Sequence, residues 1–597
     1  MTGTEPMSAC STATVNRFRA DAGRFAASVN VLKRNVAAIR TGDTAAVKQA
    51  RQALVTCRNE YKRIEYFMEY YFDYPVNLYN RAPVYEVEEP YMEYQAPVGL
   101  QVVEDLLMDD AEVYTNLKEL TDQCEVIAAT ANDIPATLYD FKTSDAQLLE
   151  AMRLELIRVM TLGITGYDAP LLKTGITESA TALHTLQTVL EPLLQAHPCT
   201  WADSVRHYTG KGIALLEAHP GFNGFNRMQF LTDAALPLQY YLGQFIQTQQ
   251  LNIQTHRMLH YNAPHLFASN ALDVTAFAAT GGTGNRVLQA ALGKELFFEN
   301  RLSGNGKRSC ATCHQPGKYF TDGLTRSKTI DETGEVSRNA PTLLYAAYQH
   351  MQFHDGRAGS LEAQIGAVLQ NPKEMNADLQ QVVALLYADE HYRTAFGKAF
   401  DAQGSDSVVT ASKLATALAA YEQTLAPFNA PFDAYLAGDK TAMTPAQIDG
   451  FNLFMGKAQC GTCHFAPVFN GLLPPYYERT ELEVLGVPQN GSLKHPRPDT
   501  DSGRYGFFAI SFNTGAFKTS TVRNAAVTAP YMHNGAFKTL KEVIAFYNKG
   551  GGAGLKMDVP HQTLSDRPLG LTNNEINNLV AFLESLTDKP SAGFSHP

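Results

Sequence analysis

The chain has 597 residues, 45% of them hydrophobic and 18% charged, which supports several buried cores and excludes a disordered or fibrous protein. Its formal net charge of -11 offers no basic face for phosphate backbones, so a nucleic-acid reader is excluded. No run of 18 apolar residues suggests a membrane span, and the length predicts more than one domain.

Residues 1 to about 265 carry apolar side chains at three- and four-residue spacing, as in RFRADAGRFAASVNVLKRNVAAI and DAQLLEAMRLELIRVMTLGI. With Pro and Gly turns between such stretches, the spacing predicts a bundle of helices. Cys10, Cys57, Cys124 and Cys199 all lie in this part. They are either reduced core thiols or joined in one of the three pairings that four cysteines allow. Nine tyrosines, Tyr61, Tyr66, Tyr70, Tyr71, Tyr74, Tyr79, Tyr85, Tyr91 and Tyr94, fall among glutamates between residues 60 and 94. An aromatic helix face followed by an acidic loop accounts for them; a relay of oxidising equivalents is the functional reading. The helical layout with Gly99-Leu100-Gln101-Val102-Val103-Glu104 resembles the imelysin group of periplasmic helical proteins. Gln101 stands where the metal motif of that group has histidine, so no metal is assigned here.

AFAATGGTGNR, at 276 to 286, reads as a linker. Beyond it the chain forms two comparable halves, each with a helical segment followed by C-x-x-C-H: Cys310-Ala311-Thr312-Cys313-His314 and Cys460-Gly461-Thr462-Cys463-His464. Chance would supply ~0.003 copies in a chain of this composition, so both are read as covalent attachment of haem c. Two thiols three positions apart reach two vinyl groups of one porphyrin, and the next residue brings an imidazole to the iron. His314 and His464 are therefore the proximal ligands. A zinc knuckle or redox dithiol explains neither histidine. Thr444, Pro445 and Gln447 predict a capped helix with Ile448, Phe451, Phe454 and Met455 on one face. Thr572 and Glu575 begin the last one, striped by Ile576, Leu579, Val580 and Leu583. Few segments alternate like strands, so the class is mainly α.

Leu-Gly-Lys-Glu-Leu-Phe-Phe at 292 to 298, Arg301-Leu302-Ser303, Arg338-Asn339-Ala340-Pro341-Thr342, His354-Asp355-Gly356-Arg357, Asn371-Pro372-Lys373-Glu374-Met375 and Ala529-Pro530-Tyr531-Met532-His533-Asn534-Gly535 stand in an order and spacing that resembles the bacterial di-haem cytochrome c peroxidase and MauG family, over about 290 to 590. The resemblance makes the first haem the peroxide site, with Glu374 as general acid/base and Gln364 as the polar neighbour that orients peroxide. A solvated or capping carboxylate after Asn371-Pro372 is the alternative for Glu374. Peroxidases of the family carry, in the loop after the first motif, a histidine that blocks the iron. Gln315 to Arg338 contains none, so the first haem is expected to be five-coordinate or water-bound at rest.

The same resemblance places the distal ligand of the second haem at Tyr547, with Met532 as the alternative. Tyr547 lies in TLKEVIAFYNKGG, where Thr539 and Glu542 cap and Leu540, Val543 and Ile544 share its face. Phenolate ligation lowers the potential relative to a thioether. The family's inter-haem tryptophan position is His354 here, and the only tryptophan is Trp201. A calcium ion is implied on Asn339, Thr528 and Pro530, an oxygen-only set.

The expected architecture is mainly α, with two cytochrome c-like haem domains preceded by an α-helical bundle domain: 1–270, 271–440 (peroxidatic) and 441–597 (electron transfer). The expected function is reduction of hydrogen peroxide with electrons from a small cytochrome c or copper protein. Peroxide-dependent oxidation of residues on a protein substrate and non-enzymatic electron transfer are the rivals. Covalent haem attachment implies a periplasmic location, the signal segment being trimmed or upstream of MTGTEPMSACSTATVNRFRADAG.

Overall fold

The computed structural model describes residues 7–72, 76–88, 93–251, 253–279, 284–401 and 408–590. The architecture is mainly α, with two short two-stranded antiparallel pairs, Glu86–Glu88 with Glu93–Gln95 and Leu482–Val484 with Ala516–Lys518.

In the N-terminal third, the Ala9–Ala38 helix is capped by Ser8, whose hydroxyl accepts from the Ser11 amide, and it packs against Thr44–Lys62 and Leu117–Thr137. The Asp145–Arg158 helix starts in a capping box of Ser144 and Gln147, and every residue from Leu148 to Arg158 is buried. It therefore runs through the middle of the bundle and cannot show a polar face. Its charged residues join a buried network instead. Arg58 donates through Nε and Nη2 to the two carboxylate oxygens of Glu178 at 2.9 and 3.1 Å, and Lys62 bridges Glu65 and Asp168.

Tyr61, Tyr66 and Tyr79 are core residues, as the packing reading expects. The acidic loop is partly a strand pair, with Val87 opposite Tyr94; three-residue strands are too short for alternation to register in a sequence. Tyr74 and Tyr91 lie outside the described residues. The four cysteines of this third are unpaired, and burial pushes the Cys57 and Cys124 thiols up to about 12. Residues 280–283 of the linker also lie outside the described segments.

The two motif-bearing halves share a frame. In the first, helix Arg286–Phe297 crosses Ala411–Glu422; in the second, Pro445–Phe454 crosses Asn573–Ser585. A glycine sits at each crossing. A β-carbon on Gly293 would lie 1.9 Å from the Ala417 carbonyl oxygen, and one on Gly450 would lie 1.9 Å from that of Asn578. Only glycine permits this approach. The capping boxes of Thr444 with Gln447, Thr539 with Glu542 and Thr572 with Glu575 all form.

The helical third is packed directly onto the second motif. After the π-helical stretch Val159–Gly163, the chain runs along Cys460–Thr462: Gln459 Nε2 donates to the Pro170 carbonyl at 3.1 Å, and the Thr165 methyl would lie 3.2 Å from a β-carbon on Gly461. Arg227 is fully buried, donates to the carbonyls of Ile164, Phe222 and Phe225, and fills the space beside Gly456. No helix of the described residues is long and apolar enough to cross a membrane.

Candidate functional site

At the first motif, Ser309 and Thr312 cap a one-turn helix, Cys310–Cys313, so both thiols leave one side of a single turn. His314 ends that turn, and its Nδ1 lies 3.1 Å from the carbonyl oxygens of both Phe320 and Pro341. Carbonyls only accept, so the ring proton is on Nδ1 and the bare Nε2 lone pair is available to a metal. Burial holds the imidazole below its ordinary pKa and keeps it neutral.

The Asn371–Met375 turn, held by Arg308, carries Glu374, whose Oε2 is buried with no hydrogen-bond partner among the described residues. Arg308 ties the turn to the loop after the motif, donating to the carbonyls of Lys328, Thr329 and Glu374. Burial raises the Glu374 carboxyl above the ordinary carboxylate range, against the opposing charge of Arg357, the Asn371 side chain and Arg308. Its charge in turn helps to raise the Cys313 thiol. Gln364 sits half-buried on the Leu361–Gln370 helix, and its amide has no hydrogen-bond partner among the described residues.

A carboxyl that must accept a proton before returning it works from its ionised form, so peroxide turnover is expected to fall on the acid side of the Glu374 pKa. Arg357 favours the anion. Arg357→Leu is therefore expected to move the acid limb of the kcat/KM profile to higher pH; an unmoved limb assigns that limb to another group.

At the second motif, Gln459 takes φ 54° and Cys460–Thr462 form a 3-10 turn. His464 repeats the arrangement of His314, with Nδ1 3.3 Å from the Phe469 carbonyl oxygen, and burial pulls its pKa down to about 4. A cavity of about 1150 Å³ opens beside it, walled by Cys460, Cys463, His464, Lys518, Met532 and Tyr547 among others. The stripe of Leu540, Val543, Ile544 and Tyr547 is turned into that cavity by the capped Leu540–Asn548 helix. Burial, then the neighbouring Cys463 and Cys460, raises the Tyr547 phenol. Both Tyr547 and Met532 thus line the same cavity as His464.

Three features fit haem c at these motifs. The dithiols face buried space, burial pushing Cys310 and Cys460 up to about 12. The proximal rings are already oriented. Lys518, drawn down to about 7 by burial, has no side-chain partner among the described residues and borders the cavity, where an anionic porphyrin propionate suits it.

His354 lies between the halves. Its Nε2 is 3.3 Å from the Asn339 carbonyl oxygen, its own carbonyl accepts from the Lys518 amide, and burial brings it down to about 3. Asn339 Oδ1 is buried and unpartnered, its Nδ2 donates to the Pro530 carbonyl at 3.2 Å, and Thr528 borders the same cavity. An orphaned amide oxygen beside a carbonyl is a donor set that fits calcium.

Sequence reasoning missed Glu422. It is 8% exposed at the end of the Ala411–Glu422 helix, and burial followed by the charge of Glu362 raises it to about 8. Its charge raises the Cys310 thiol. It also missed Lys518; neither residue lies in a local motif.

Two C-x-x-C-H turns with neutral, carbonyl-anchored histidines define a di-haem c-type protein. A family model described as di-haem cytochrome c peroxidase matches residues 288–441. The chain is 35% identical over 315 residues to the cytochrome-c peroxidase IdrP1 of Denitromonas iodatirespirans, covering 50% of this chain and 81% of that protein. It is 35% identical over 307 residues to the methylamine utilization protein MauG of Methylorubrum extorquens (51% and 79%) and 33% over 305 residues to the cytochrome c551 peroxidase of Nitrosomonas europaea (50% and 80%). A solved MauG-like protein associated with microbial copper homeostasis is 29% identical at a TM-score of 0.46, over 52% of this chain and 93% of that one. The chain belongs to the di-haem cytochrome c peroxidase family and is an oxidoreductase carrying haem c.

Proposed function

We propose that this is a periplasmic di-haem peroxidase of MauG-like type that reduces hydrogen peroxide with electrons from a small cytochrome c or copper protein. The observation that carries the reading is the buried, unpartnered Oε2 of Glu374 at the first motif. A desolvated carboxylate oxygen with no protein donor is ready to take a proton from a small ligand. Cys310, Cys313 and His314 would hold a haem, which would supply the redox chemistry for O–O cleavage. Glu374 would take a proton from one peroxide oxygen and return it to the other. Gln364 orients the molecule through its amide. His314 keeps its ring fixed by sharing the Nδ1 proton between two carbonyls.

In this reading 1–270 is the helical domain, 271–440 the peroxidatic domain and 441–597 the electron-transfer domain. Tyr547 would ligate the second iron in preference to Met532, because a capped helix delivers it into the cavity beside Cys463 and Cys460. His354 occupies the inter-haem position. The resting oxidised spectrum, followed by one equivalent of peroxide, tests the function. A high-spin first haem, a phenolate-ligated second haem and a prompt spectral change are expected; two low-spin haems inert to peroxide refute it and leave an electron carrier.

Asn339, Thr528 and Pro530 would hold calcium between the halves. Stripping the ion with a chelator is expected to slow inter-haem electron transfer at least about tenfold, since the ligands tie 339 to 528–530. Stopped-flow kinetics unchanged after the metal is shown to be gone count against the site.

A further inference from the structure

We propose that Tyr167, in the N-terminal helical third, is a redox-active residue that gives one electron to the second haem and its phenolic proton to Glu481. The proposal rests on the peroxidase reading above. Tyr167 walls the same cavity as Cys460, Cys463 and His464. Its ring centroid is 5.6 Å from that of Phe465, the residue that directly follows His464, and the rings meet edge to face. Its hydroxyl donates to Glu481 Oε1 at 3.1 Å.

That last contact supplies what oxidation of a phenol requires. A tyrosine that loses an electron becomes a strong acid, so it is oxidised at accessible potential only where a base stands within hydrogen-bond reach. Tyr476, Tyr477 and Tyr531 donate to the backbone carbonyls of Glu69, Ala466 and Ala525, which are not bases. Tyr167 donates instead to a carboxylate.

The step balances. Reduction of hydrogen peroxide to two waters withdraws two electrons from the protein. In the absence of an external donor, Tyr167 replaces one of them: the electron passes to the second haem, the O–H proton passes to Glu481, and a neutral tyrosyl radical remains. A later electron from the reductant, with the proton returned by Glu481, restores the phenol. The helical third thereby takes part in the redox chemistry, since its chain from 159 to 171 carries this residue to the second motif.

The holoprotein, mixed with one equivalent of hydrogen peroxide without donor and freeze-quenched, is expected to show an organic radical by EPR whose hyperfine pattern narrows on incorporation of ring-deuterated tyrosine. Tyr167→Phe should reduce that signal at least about tenfold while the optical response of the haems to peroxide persists, and Glu481→Gln should slow its appearance by about tenfold. A radical of full intensity in Tyr167→Phe, or no organic radical when the haem spectrum does respond, overturns the proposal. A haem spectrum that ignores peroxide overturns the peroxidase reading itself, and this inference with it. Unaltered resting spectra in both variants establish that they are folded.

Discussion

Replacing Glu374 with glutamine is expected to lower peroxide turnover by about 10²–10⁴-fold, the range over which positioned proton transfer contributes. The substitution keeps the shape of the side chain and leaves Arg308 free to hold the turn through backbone carbonyls, so both haem spectra should remain as in the parent. The loss should appear in kcat and kcat/KM together, because the amide removes only the proton shuttle. Glu374→Asp, which retains a base on a shorter stem, should recover part of the rate. Turnover within about threefold of the parent in Glu374→Gln would assign the proton transfer elsewhere, with Glu422 the next carboxyl at that motif.

The largest stability effect is expected at Asp433. Its carboxylate receives both terminal nitrogens of Arg523, at 3.0 and 2.8 Å, and Arg523 is completely buried. The guanidinium lies over the rings of Tyr345, Phe428 and Phe469 and also donates to the Pro467 carbonyl. Asp433→Ala removes the only carboxylate that bonds Arg523 among the described residues and should cost ~3–5 kcal/mol, with Asp433→Asn costing less because it keeps an acceptor. The damage should reach the second haem. Residues 467–469 are fastened by Arg523 at Pro467 and by the Thr521 hydroxyl at Val468, and Phe469 supplies the carbonyl that orients His464. Urea unfolding of the holoprotein measures the loss; a change below about 1 kcal/mol with an unaltered spectrum would show that the ion pair is dispensable.

Legibility followed the range of the interactions. The C-x-x-C-H turns and the boxes at Thr444, Thr539 and Thr572 are closed within a few residues, so their residues could be read in order along the chain. The same holds for the face of Leu540, Val543, Ile544 and Tyr547, since one helical repeat puts them together. Glu422 gave no sign, because what makes it unusual is burial beside Cys310, over 100 residues earlier. Lys518 borders a cavity assembled from several segments, and Tyr167 meets Glu481 across 314 positions. The glycine crossings were invisible for the same reason: Gly293 and Gly450 look like ordinary weak points in a helix until the second helix is laid across them. The docking of the helical third on Cys460–Thr462 carried no local signal either, being made by Gln459, Thr165 and Arg227.

Those matched glycines separate chassis from tuning. Because neither crossing admits so much as a methyl group, the spacing of each helix pair is set by main chain alone. On the proposed reading, the two motifs can then be given unlike tasks by swapping what surrounds them, a turn bearing Glu374 at one and a helix bearing Tyr547 at the other, with no retooling of the supports.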